Sequence, residues 1–85
     1  MFDEVWAQLR GRLVSSLGLD PDTTAVTLDS RIREDLGLSS LKTVDLIISL
    51  EDSYDIAITD DELATLATLR DVVELVVRKS SAGRG

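Results

Sequence analysis

The chain contains no cysteine and no histidine. Disulfide staples, thiol nucleophiles and zinc sites of the Cys/His kind are therefore excluded, and so is the general base most often used near neutral pH. There is one proline, and Phe, Trp and Tyr occur once each, so turn chemistry and aromatic bulk are both scarce. Bases are also few: nine Lys and Arg stand against sixteen Asp and Glu, for a formal net charge of −7. Such a chain repels nucleic acid and anionic membrane, and its electrostatic partner is expected to be a basic protein surface. No apolar run reaches the roughly 18 residues of a membrane span, and the start, Met1-Phe2-Asp3-Glu4, is acidic where a secretory leader is basic. A cytoplasmic monomer is the expectation. What is present is 85 residues, 44% of them apolar. That suffices for one domain with a small core, and a deep catalytic cleft would compete for the same residues.

The charge is uneven. Residues 29–62 hold ten acids and three bases, whereas the two flanks cancel one another. One sign of charge on one segment describes either a solvated face or a docking surface. Around this segment the periodicity is helical. Phe2, Val5, Trp6, Leu9, Leu13 and Leu17 fall on one helix face, with Asp3 and Glu4 in the first turn and Gly18 placed to end it before Pro21. Residues 19–38 show no sustained period; Leu28, Ile32 and Leu36 are anchors in a long connection, with a helical turn expected over 32–36. A second helix spans 40–53. One of its faces carries Leu46, Ile47, Leu50 and Tyr54, and another Leu41, Val44 and Ile48, which is either a wider core contact or an exposed strip. Thr59-Asp60-Asp61-Glu62 is a capping box opening a short third helix to about Leu66. Leu69, Val72, Val73, Val76 and Val77 predict a fourth helix ending near Arg78-Lys79, with a strand as the alternative that the valines raise. The expected organisation is one all-α domain over 1–79, a four-helix bundle with a long loop between helices 1 and 2, followed by a flexible tail at 80–85.

Ser39 and Ser40 stand at the start of the second helix, and either could cap it. The plain reading is that both cap and do nothing more. The sharper one notes that a serine at a helix N-terminus is well placed to carry a phosphate. With no histidine to deprotonate it, such a serine is suited to modification by another enzyme rather than to catalysis of its own.

These residues carry a resemblance. Glu34-Asp35-Leu36-Gly37-Leu38-Ser39-Ser40-Leu41-Lys42-Thr43-Val44-Asp45-Leu46 resembles the attachment motif of acyl carrier proteins, which runs Asp-Leu-Gly, a variable residue, Asp-Ser-Leu, then a Val-Glu-Leu-type helix. The likeness continues through Leu50-Glu51-Asp52-Ser53-Tyr54 and Ile56 to Glu62, and covers residues 29–78 well. It implies a non-catalytic carrier. Ser40 matches the serine that receives 4′-phosphopantetheine from coenzyme A through a separate Mg²⁺-using phosphopantetheinyl transferase, and the arm's thiol then holds acyl groups as thioesters. The working thiol is thus imported, which suits a chain without cysteine. Leu41, Val44, Asp45, Ile48, Glu51 and Asp52, with Asp60 and Asp61, match the face shown to partners, and the resemblance favours exposure of the second apolar strip. Ketosynthases, acyltransferases and other acyl-processing enzymes with basic patches are the implied partners. Leu46, Ile47, Leu50, Tyr54, Ile58, Leu63, Leu66, Leu69 and Val73 match core positions around which an acyl chain can pack.

The chain departs from the family at three places: Ser39 replaces the usual Asp, Lys42 stands where many fatty-acid carriers have an acid, and Thr59 replaces a Pro. Together with the arginine-rich base usage, the first two point to a free-standing bacterial carrier of polyketide or related specialised metabolism rather than the housekeeping fatty-acid carrier. The competing readings are a peptidyl carrier and an acidic helical interaction module that is never modified. No metal site is expected, since Asp52, Asp55 and Asp60 lack the acid spacing and central glycine of a calcium loop.

Overall fold

The structure, a computed structural model, describes residues 1–24 and 26–83. Four helices follow in order: α1 Phe2–Leu17, α2 Ser40–Tyr54, α3 Asp60–Ala64 and α4 Leu69–Gly83. α1 and α2 both pack on α4. The stripe expected of α1 is the one that is buried, with Val5, Leu9 and Leu13 inside and Val14 added beside them. They meet Val72, Val73 and Val76 of α4 and Ile47 and Leu50 of α2 in one core. The valines of α4 therefore fill a helix–helix seam, and the strand alternative is not realised.

α1 ends where Gly18 takes φ +68°. Its N–H bonds to Ser15 O and the Leu19 N–H to Val14 O, a Schellman closure that a residue with a Cβ would strain. The long connection that follows is not loose. Ile32 N–H donates to Ala67 O, Leu69 N–H to Ser30 O and Arg70 N–H to Leu28 O, so residues 28–32 run antiparallel along the entrance to α4. An isolated bridge between Arg31 and Thr68 marks this zipper. Its expected anchors hold: Ile32 is buried and Leu28 and Leu36 pack against the core, with Val26 and Leu38 buried in addition. Asp35 N–H donates to Arg31 O and Gly37 N–H to Arg33 O, so a helical turn lies at the expected stretch and turns Ile32 and Leu36 toward the core.

α4 outruns its expected end. It continues past Lys79 to Gly83, and Ser80 is buried, so the helix takes in the first part of the segment expected as a tail. Arg84 and Gly85 lie outside the described residues. Lys79 does not serve a helix end; its ammonium lies 2.7 Å from Glu62 and ties α4 to α3. Among the described residues no helix is long and apolar enough to cross a membrane.

Candidate functional site

The approach to α2 is built by the motif residues. Asp35 turns its carboxylate back onto Arg31, accepting the Arg31 backbone N–H at 2.8 Å and its guanidinium at 3.1 and 3.3 Å. That guanidinium and the backbone N–H hold the Asp35 carboxyl below its usual range. The turn closes with Gly37 at φ +65°, a conformation that costs a residue with a side chain about 1–2 kcal/mol. Leu38 then plugs into the core, and the chain is delivered to Ser39 in an extended conformation.

Ser39, not Ser40, is the cap. Its Oγ accepts the Lys42 N–H at 3.2 Å, and its carbonyl accepts both the Thr43 N–H and the Thr43 hydroxyl at 2.9 Å. Ser40 is the first residue of α2 and is exposed. Among the described residues its hydroxyl meets one side chain, Arg33, whose guanidinium lies 3.5 Å away. The other helices carry acids in their first turns: Asp3 and Glu4 in α1, Asp60, Asp61 and Glu62 in α3, Asp71 in α4. α2 has none. The first turn of α2 thus carries no acid of its own, and Arg33 sets a positive charge beside Ser40. A phosphate on Ser40 Oγ thus fits the residues that surround it.

From Ser40 a groove of about 410 Å³ opens between α2 and α3. Ile32, Val44, Leu63 and Leu66 supply apolar walls, and Glu34 and Asp60 its acidic edge. A second groove, of about 710 Å³, lies between α1 and α2 over Leu13, Leu38 and Leu46, with Arg12, Lys42 and Asp45 around it.

The residues expected to face partners divide. Leu41 is 72% exposed, Ile48 48% and Val44 37%, so the second strip of α2 lies outside the core. Asp45 and Asp52 are exposed beside it, and Asp60 and Asp61 at the start of α3. Glu51 is different. It is half-buried, and its carboxylate accepts the Ile58 N–H at 2.9 Å, bracing the α2–α3 connection. Tyr54 braces the opposite side, donating to Gln8 at 2.7 Å, and burial pushes its phenol up. Arg33 has no counterpart among the site residues read from sequence. Its only signal there was a basic residue seven positions before Ser40.

Comparison with known proteins decides the family. The family described as "Phosphopantetheine attachment site" matches residues 7–76. The chain belongs to the acyl carrier proteins. It is 41% identical over 73 residues to the acyl carrier protein of Campylobacter hominis, covering 86% of this chain and 90% of that one. It is 32% identical over 77 residues to that of Aster yellows witches'-broom phytoplasma, covering 91% and 99%. The crystal structure of the acyl carrier protein of Thermotoga maritima, 23% identical, shares the fold with a TM-score of 0.79 over 95% of this chain and 92% of that one. Membership makes the chain a carrier of acyl groups on a covalently attached 4′-phosphopantetheine. It implies a phosphopantetheinyl transferase and acyl-processing enzymes as partners.

Proposed function

We propose that Ser40 Oγ is the attachment point of the 4′-phosphopantetheine, and that the exposed face of α2 with the start of α3 presents the loaded arm to partner enzymes. The observation that carries this is the division of labour between two adjacent serines. Ser39 takes the cap, so Ser40 keeps an exposed hydroxyl at a helix end that lacks an acid. In the loading step the Ser40 oxygen bonds to the phosphorus of coenzyme A that bears the pantetheine. The pyrophosphate link breaks, and adenosine 3′,5′-bisphosphate leaves. With no histidine in the chain, the proton of Ser40 goes to a base of the transferase.

Leu41, Val44 and Ile48 form the apolar centre of the docking face, and Asp45, Asp52, Asp60 and Asp61 its charged surround. A ketosynthase or acyltransferase with a basic patch complements it; the apolar centre supplies affinity and the acids steer the encounter. Glu51 contributes mainly by holding the α2–α3 connection. The groove between α2 and α3 begins at Ser40 and has apolar walls, which suits the near end of an acyl chain. The protein works as a cytoplasmic monomer, and Ser39 and Lys42 support service in polyketide or related specialised metabolism. An acyl profile from the host limited to straight saturated chains would count against that pathway.

The test is intact mass after incubation with coenzyme A, Mg²⁺ and a broad-specificity transferase. One phosphopantetheine adduct is expected on the native chain and on Ser39→Ala, and none on Ser40→Ala. No adduct on a folded native chain would bring forward the unmodified interaction module.

A further inference from the structure

We propose that Arg33 is the phosphate-binding residue of this carrier: once Ser40 bears its phosphodiester, the Arg33 guanidinium pairs with the phosphate oxygens and holds the root of the arm against the mouth of the α2–α3 groove. The inference rests on Ser40 as the attachment point and adds to it the residue that receives the charge. Arg33 already lies 3.5 Å from Ser40 Oγ, at the long limit of a hydrogen bond. A phosphate on that oxygen adds acceptor oxygens one bond further out, which a guanidinium at this distance can reach.

The other cations near the motif are engaged or placed elsewhere. Arg31 is held by Asp35, and Arg70 by Asp29, each at 3.1 Å. Lys42 borders the groove between α1 and α2. Arg33 is the one cation among the residues lining the groove that holds Ser40. Glu34 and Asp60 line that groove too, yet among the described residues no carboxylate comes within 4.0 Å of the Arg33 guanidinium. A desolvated carboxylate partner would have to be displaced by phosphate; here none is. A planar fork on a phosphate is also a stronger and more directional contact than a lysine makes. The same two acids disfavour a phosphate that swings free along the groove, so the cation at its rim fixes where the charge sits.

The experiment compares apo and holo forms of the native chain, Arg33→Gln and Lys42→Gln, with the holo forms made by transferase and verified by mass. Two readouts are taken: the ³¹P resonance of the phosphodiester and the difference in melting temperature between holo and apo forms. For the native chain and Lys42→Gln, the holo–apo difference is expected to exceed that of Arg33→Gln by about 1–8 °C, as one exposed ion pair allows. The ³¹P resonance should move in Arg33→Gln alone, and the difference should fade as salt shortens the Debye length from about 10 Å to about 3 Å. Unchanged readouts in Arg33→Gln, or equal changes in Lys42→Gln, would overturn the contact while leaving Ser40 as the attachment point. No adduct on the native chain would remove Ser40 from that role, and this proposal with it.

Discussion

Replacing either serine by alanine removes one hydroxyl from the same turn, yet the structure assigns the two losses to different properties. Ser39→Ala deletes the acceptor for the Lys42 N–H. Ser, Thr, Asp or Asn caps replaced by Ala cost about 0.5–2 kcal/mol. With a bond of 3.2 Å at an exposed site, the lower part of that range, about 0.5–1 kcal/mol, is expected here. For a domain of this size 1 kcal/mol moves the melting temperature by about 4–8 °C, so Ser39→Ala should melt about 2–8 °C lower. Ser40→Ala loses a long contact to Arg33 and gains the residue with the best helix propensity, so its stability should stay within about 0.5 kcal/mol of the native chain. Ser39→Asp should keep the cap and place a charge at the one helix start without an acid, gaining about 0.3–1 kcal/mol. Urea and thermal melts of the apo forms at neutral pH decide the matter. A Ser40→Ala chain that melts below Ser39→Ala would refute the assignment of cap and attachment site. So would loss of loading in Ser39→Ala with Ser40→Ala still loaded.

Asp52→Lys should slow loading by the transferase at low salt, with the defect shrinking at high salt and stability unchanged; an unchanged low-salt rate would make Asp52 a solvated face. Glu51→Lys should slow loading and also cost about 1–2 kcal/mol in a urea melt, because the Ile58 N–H loses its acceptor. The Lys79 ammonium, with the Thr59 backbone N–H, lowers the Glu62 carboxyl from 4.5 to about 2. Its contribution to stability is complete above about pH 4.5 and is lost as pH falls from there through about 2. In Lys79→Met the Glu62 carboxyl carbon should titrate nearer 4.5 by NMR; an unmoved midpoint would sever the pair. Gly11 lies within α1 with open space where a Cβ would stand, so Gly11→Ala should raise stability by about 0.5–1 kcal/mol, whereas Gly37→Ala, at φ +65°, should lower it by about 1–2 kcal/mol in the same melts.

Much of this chain was legible because its elements are local. The stripe from Val5 to Leu13, the glycine after Leu17 and the Thr59–Glu62 box each depend on neighbours within one or two turns, and the structure realises all three. The end of α4 was not legible, since Ser80-Ser81 reads as polar tail, whereas the helix runs on to Gly83 with Ser80 buried. Glu51 read as one more surface acid, because its partner, the Ile58 N–H, is seven residues away across a connection with no fixed geometry in sequence.

At the site the boundary falls in the same place. Residue order alone established the family motif, the acidic middle third and a serine with no internal base, because motif, charge and composition are properties of the chain. Which serine caps and which keeps an exposed hydroxyl depended on the register at which α2 begins, set by the Arg31–Gly37 turn and the burial of Leu38. Whether Leu41, Val44 and Ile48 face inward or outward depended on which side of α2 meets α4; an apolar helix with two candidate faces leaves that choice open until a neighbour takes one. Arg33 beside Ser40 belongs wholly to the tertiary structure, because a seven-residue separation through an irregular turn brings two side chains together only when the turn is closed.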